Sequence, residues 1–139
     1  LKAHCAIIRA IFLLNFKEKF MATIFEKIVS GEIPSNKVLE NDKFLAFHDI
    51  NPKAPIHILI IPKICYENFQ VMDANLMGEM TKFIQEVAQK LGVDQSGYRL
   101  VCNCGENGGQ EVMHLHFHLL AGCRLEWDHS QGHNSDESF

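Results

Sequence analysis

Three histidines at every second position, His114, His116 and His118, alternate with Met113, Leu115, Phe117 and Leu119. An extended chain sends successive side chains to opposite faces. The spacing therefore predicts a strand with three imidazoles on one face and four apolar groups on the other. A helix, turning about 100° per residue, would point His116 away from both neighbours. Three uses fit such a row. One is a polar strand face that is solvated or hydrogen-bonded. A second is a zinc site, imidazole being a common ligand, with His57 of a neighbouring strand as a further donor. The third is nucleophilic catalysis at phosphorus, in which one neutral imidazole attacks while the others orient it or carry protons.

The loop before this row bears on the choice. Asn103-Cys104-Gly105-Glu106-Asn107-Gly108-Gly109-Gln110 sets three glycines and several amides against the histidines. Glycines let backbone N–H groups converge on an anion, as a phosphate cradle requires, although a glycine-rich loop alone is more often a plain turn. Asp49, between Phe47-His48 and Ile50, is a carboxylate beside apolar groups. That arrangement suits two ribose hydroxyls next to a base pocket, a solution known in other nucleotide folds. A loop cap is the simpler use of an isolated Asp.

These residues need a scaffold, and the chain from Met21 onward predicts one. Ile24 to Val29 has helical spacing and stops at Ser30-Gly31, a short helix. Strands are expected at Lys37 to Glu40, Lys43 to His48, Ile56 to Ile61, Gly97 to Asn103 and Val112 to Leu120. Asn41-Asp42 makes the first hairpin turn, and Pro62 ends the nearly all-apolar third strand. Asp73 caps one long helix that runs to about Leu91, with Gly92 beyond it. Its stripe of Leu76, Met77, Met80, Phe83, Ile84, Val87, Ala88 and Leu91 is fit to pack on one sheet face. Short connections favour antiparallel order, so the expected class is α+β: a five-stranded antiparallel sheet with one long and one short helix.

The 139 residues suit one domain, read as residues 21–127, with an N-terminal extension over 1–20 and a polar tail over 128–139. The apolar run Ala6 to Leu14, broken by Arg9, is too short to span a membrane and lacks a cleavage signal after it. A net charge of −4 argues against a nucleic-acid polymer as partner, but leaves a single nucleotide open. Five cysteines without a framework spacing read as free thiols in a reducing compartment, hence a cytoplasmic protein.

Taken together, the motifs resemble those of the histidine triad (HIT) superfamily, over about Thr23 to Trp127. Gly108-Gly109-Gln110, His114-x-His116-x-His118-Leu119-Leu120, Phe47-His48-Asp49-Ile50, Ala54-Pro55-Ile56-His57 and Ile60-Ile61-Pro62-Lys63 carry the resemblance. Ala121-Gly122-Cys123-Arg124 is similar to the Leu-Gly-Gly-Arg of the Hint branch, the purine nucleoside phosphoramidases. The resemblance implies that His116 attacks the α-phosphorus of a purine nucleoside phosphoramidate and forms a nucleotidyl-histidine that water hydrolyses. It implies that His118 meets the phosphate oxygens or leaving group, that His114 orients His116, and that His57 is a supporting proton carrier. Asp49 is then the ribose ligand. Phe47 and Ile50 line the base pocket, Asn103 and Gln110 bond the phosphate end, and His48 and Gly109 complete the nucleotide-binding set. It further implies a homodimer in which two sheets run on as one, with no cofactor and no obligatory metal. A diadenosine-polyphosphate hydrolase and a non-catalytic purine-nucleotide binder are the alternatives. Three departures stand out: Glu111 where the branch commonly has Ser, Cys65 where many relatives have His, and Asp128 to Phe139 in place of a short ending.

Overall fold

The structure is a computed structural model that describes residues 22–127. The expectations for residues 1–20 and 128–139 lie outside the described residues. The first element is a short helix, α1 (Ile24–Val29), entered through a capping box. Thr23 Oγ1 accepts from the Glu26 N–H while the Glu26 carboxylate accepts from the Thr23 N–H, so two otherwise orphaned donors are satisfied. The strands β1 (Lys37–Glu40) and β2 (Phe44–His48) follow, joined at a turn where Asn41 Oδ1 accepts from the N–H groups of Lys43 and Phe44. Next come β3 (Ile56–Pro62), a single 3-10 turn at Phe69–Val71 and the long helix α2 (Ala74–Lys90). β4 (Arg99–Val101) and β5 (Phe117–Ala121) complete one sheet in the order β1-β2-β3-β5-β4, with every pairing antiparallel.

Both helix ends are built as the sequence predicts. Asp73 Oδ1 accepts from the Leu76 N–H at the start of α2. At its end Gly92, at φ +72°, and Val93 close the helix through bonds from the Gly92 N–H to Gln89 O and from the Val93 N–H to Ala88 O. This is a Schellman ending, and Val93 is buried beneath it.

The sheet separates two apolar layers. Met80, Phe83, Ile84, Val87 and Ala88 of α2 pack on Phe44, Ala46, Ile58, Ile60, Phe117, Leu119 and Ala121. On the opposite face Phe25 and Ile28 of α1 pack with Leu45, Phe47, Leu59 and Ile61. α1 covers only part of that second face. The register places His57, Leu59, His118, Leu120 and Val101 on that same face. The site thus grows from the side of the sheet that the long helix leaves uncovered.

The histidine row departs from its predicted strand. The ladder of β5 begins at Phe117, opposite Ile60, rather than at Val112. One pair further back the partners would be Ile61 and His116, and then Pro62, which has no N–H to give. The chain leaves the ladder there, and the Leu115 N–H donates instead to Tyr66 O at 2.6 Å. Leu115, Phe117 and Leu119 still face the core, whereas Met113 is 44% exposed and belongs to no apolar face. β4 is likewise shorter than its predicted 97–103 span.

Candidate active site

His114 and His116 lie on the irregular approach to β5, and His118 lies within it. His114 is fully buried. Its Nε2–H donates to Pro62 O at 2.7 Å, and its Nδ1 accepts from the Thr23 hydroxyl at 3.1 Å. The carbonyl that proline leaves outside the ladder therefore anchors the first histidine. The carbonyl of His114 in turn accepts from His116 Nδ1 at 2.7 Å. A carbonyl only accepts, so Nδ1 of His116 carries the proton and Nε2 of the neutral ring keeps its lone pair. Phe25 stands edge-on against both rings, 5.8 Å from His114 and 5.0 Å from His116.

The tautomers of the next two rings follow in the same way. The Lys53 N–H donates to His57 Nδ1 at 3.0 Å, so the proton of neutral His57 sits on Nε2. That Nε2–H donates to His118 Nδ1 at 2.8 Å, which leaves the His118 proton on its own Nε2. Asp49 Oδ2 lies 3.4 Å from the same His57 nitrogen, while its Oδ1 accepts from the Asn51 N–H. The rings of His116 and His118 are 5.1 Å apart between centroids. A lone-pair nitrogen on His116 and a proton-bearing nitrogen on His118 are thus set side by side.

Burial favours the neutral forms of His57, His114 and His118. The pKa of His118 is pushed down to about 4, first by burial and then by the neighbouring His116 and His57, against the pull of Asp49. Burial also lowers His57, with Lys53 adding to it and Asp49 opposing. His114 is lowered by burial despite the Pro62 carbonyl and Glu26. The short His57–Asp49 approach is therefore a polar contact to a neutral ring rather than an ion pair.

A cleft of about 520 Å³ opens on this arrangement. Asp49, Lys53, His57, Asn103, Gly109, Glu111, His116 and His118 line it. A second, apolar cavity of about 740 Å³ adjoins it and shares Ile24, Phe25, Asp49, Ile50 and Leu59 with it. Asp49 stands where the two meet. Ile50 at 90% and Ile24 at 48% exposure leave large apolar side chains open at the lip, an arrangement that suits a planar apolar ligand.

The remaining sequence-derived residues fall into different places. Phe47 and His48 both lie in the wall of the apolar cavity, Phe47 buried and His48 exposed at the end of β2, where it pairs with Ile58. Gln110 is buried and committed to the backbone. Its Oε1 accepts from the Gly105 N–H, and its Nε2 donates to Glu67 O and Val112 O. The N–H groups of Gly109 and Gln110 are likewise spent inside the loop, on Glu106 O and Gly105 O. The positive φ of Gly105 and Gly109 closes the loop on itself, so those N–H groups form no open anion cradle. His57 meets His118 rather than His116. Among the described residues, the side chains that come together as metal ligands would are Asp49, His57 and His118, within 4.8 Å of one another, and not the three alternating histidines. A cation there would have to displace the proton already shared by His57 and His118.

Thr23, Phe25 and Lys53 escaped the sequence reading. Thr23 carried a detectable sign, since Thr-x-x-Glu before an apolar run is a capping box. Nothing local shows that its hydroxyl also reaches His114, 91 residues away in the chain.

Comparison with known proteins agrees with this architecture. The HIT domain family matches residues 30–125. An uncharacterized HIT-like protein of Helicobacter pylori is 57% identical over 99 residues, spanning 71% of this chain and 95% of that protein. The purine nucleoside phosphoramidase of Escherichia coli is 45% identical over 103 residues, spanning 72% of this chain and 87% of that enzyme. The crystal structure of a HIT family hydrolase from Legionella pneumophila superimposes with a TM-score of 0.73 at 41% identity, covering 76% of this chain and 97% of that one. With its match over 30–125 and relatives this similar along nearly their whole length, the chain belongs to the HIT domain family.

Proposed function

We propose that this protein is a nucleotide hydrolase that cleaves the phosphorus–nitrogen bond of purine nucleoside 5′-phosphoramidates through a nucleotidyl-histidine on His116. The carrying observation is the bond from His116 Nδ1 to the His114 carbonyl, which turns a lone-pair Nε2 toward the cleft beside His118. In the first step His116 Nε2 bonds to the α-phosphorus as the bond to the amine breaks. An anionic substrate raises the proton affinity of His118, which then supplies the proton that the departing amine takes. His57 holds the His118 ring through its Nδ1. In the second step water gives a proton back to His118 as its oxygen bonds to the same phosphorus, the bond to His116 breaks and the nucleotide is freed. The adjoining apolar cavity takes the base, and Asp49 at its junction with the cleft takes the ribose hydroxyls. Asn103, Gly109 and Lys53 surround the phosphate end. Placing substrate and charge in this way is most of what an enzyme contributes to phosphoryl chemistry.

The 45% identity to an Escherichia coli protein named purine nucleoside phosphoramidase supports this substrate class. The protein is proposed to act in the cytoplasm as a homodimer; no described helix is long and apolar enough to cross a membrane. The test is turnover of adenosine 5′-phosphoramidate by the wild type and by His116→Ala. The variant is expected to lose at least about a thousandfold in kcat while keeping its melting curve. Comparable turnover by a folded variant refutes the assignment of the nucleophile. Running diadenosine polyphosphates beside the phosphoramidate identifies the preferred leaving group.

A further inference from the structure

In the free site His118 Nδ1 accepts from His57 Nε2–H at 2.8 Å, and the His118 proton sits on Nε2. A ring that protonates an amine and ends neutral must first carry protons on both nitrogens. Protonated His118 has no lone pair left on Nδ1, so it would meet His57 N–H to N–H across that same short distance. His57 cannot yield by changing tautomer. Its own Nδ1 already accepts from the Lys53 N–H at 3.0 Å, and a proton there would face a second donor. His57 Nε2–H therefore needs another acceptor whenever His118 is charged.

Asp49 Oδ2 lies 3.4 Å from that nitrogen, slightly beyond a full hydrogen bond and within reach of a small turn of the ring. The Asp49 side chain is 17% exposed, which leaves it open to a ligand, and its Oδ1 is steadied by the Asn51 N–H. Each carboxylate oxygen can accept twice, so ribose hydroxyls and the His57 N–H can share the group. The charged and titratable groups around the ring are His116, His57 and Asp49, with Lys53 beside His57 and Glu111 in the cleft wall. Of those acting on His118, His116 and His57 oppose a positive charge on it and Asp49 favours one.

We propose that Asp49 is a positioning residue for the acid: it takes over the hydrogen bond of His57 Nε2–H when His118 is protonated, and so couples the ribose site to proton transfer at the leaving amine. This rests on the reading of His118 as the acid of a phosphoramidate hydrolase, and it adds a second role to the ribose ligand. The proton balance closes. With an anionic substrate bound, His118 takes one proton from solvent at Nδ1. Its Nε2–H then goes to the amine nitrogen, which receives the electron pair of the breaking phosphorus–nitrogen bond. The ring is left neutral with a lone pair on Nε2, the form that accepts a proton from the attacking water in the second step. His57 stays bonded to Asp49 throughout.

Asp49→Asn keeps the shape of the side chain and removes its charge. Two substrates with the same nucleoside test the proposal. One is adenosine 5′-phosphoramidate, whose amine must be protonated. The other is the p-nitrophenyl ester of adenosine 5′-monophosphate, whose phenolate leaves without a proton. Any loss of ribose binding is common to both and cancels in the ratio of their kcat/KM values. The variant is expected to lower the ratio of phosphoramidate to ester at least about tenfold. With adenosine 5′-monophosphate bound, nitrogen NMR is expected to show His118 titrating about one pH unit lower in the variant than in the wild type. An unchanged ratio overturns the proposal, because Asp49 then acts through the ribose alone. The same His118 titration in both proteins overturns it as well. If the wild type cleaves neither substrate, the hydrolase reading fails, and the titration still decides whether Asp49 supports the charged ring.

Discussion

His118 concentrates the physical chemistry of the site in one ring. Its pKa lies near 4 in the folded protein, against 6.5 for the free side chain, because burial disfavours its charged form. Between those two values the unfolded chain binds more protons than the folded one. Stability is therefore full above about pH 6.5 and falls as the pH drops toward 4. His57 and His114, lowered by the same cause, act in the same direction. Urea midpoints measured from pH 7 down to pH 5, above the main carboxylate range, are expected to decline. In His118→Asn the decline is expected to be shallower. An identical slope in the two proteins would show that His118 is not the group responsible. In the proposed mechanism the consequence runs the other way, since an anionic substrate would restore proton affinity at the ring proposed to protonate the leaving amine.

At the scale of elements, the candidate active site is held by the ends of helices and strands rather than by their middles. The capping box of α1 is also the support of His114, because one hydroxyl accepts from Glu26 N–H and donates to the imidazole. Thr23→Val keeps the side-chain shape and removes both bonds. It is expected to cost about 1–2 kcal/mol in urea denaturation. It should also lower kcat through a loosened His114, and unchanged values of both would show the hydroxyl to be idle. The loop before the histidines is similarly constrained. A Cβ at Gly108 would sit 2.5 Å from Cys104 O and 2.8 Å from Cys104 N, both backbone atoms. Gly108→Ala must displace the loop that carries Gly109 into the cleft. A loss of about 1–3 kcal/mol and weaker nucleotide binding by calorimetry are expected.

The whole molecule is asymmetric about its sheet. α2 seals one face, whereas α1 covers only a corner of the other, and the uncovered remainder is where His57 and His118 meet. The sheet also ends in edge strands, β1 and β4. β1 carries Lys37 and Glu40, paired with each other at 2.8 Å, with Lys63 also on Glu40. Charges of this kind discourage further strand pairing. β4 shows Leu100 at 41% and Tyr98 just before it at 37% exposure. The proposed homodimer would use this second edge. Sedimentation is expected to give twice the chain mass, and Leu100→Arg to shift it toward one chain. A monomeric wild type at micromolar concentration would exclude that assembly.

Much of this organisation is written in the order of residues. The continuous apolar runs of β2 and β3, the eight-residue stripe of α2, its Asp73 and Gly92 ends and the short helix after Thr23 all follow from local patterning and capping chemistry. The types and spacing of the histidines are also enough to mark a candidate site. Tertiary structure alone decides what each histidine does, because the deciding bonds join residues far apart in the chain. His118 finds His57 across 61 residues, and His114 finds Pro62 across 52. An ideal strand over Val112 to Leu120 is what periodicity favours. The missing N–H of Pro62 and the Leu115–Tyr66 bond end that ladder early. The same non-local bonding turns Gln110 inward as a brace for its loop. The row of three equivalent imidazoles becomes an anchored ring, a ring with a free lone pair and a ring that holds a proton.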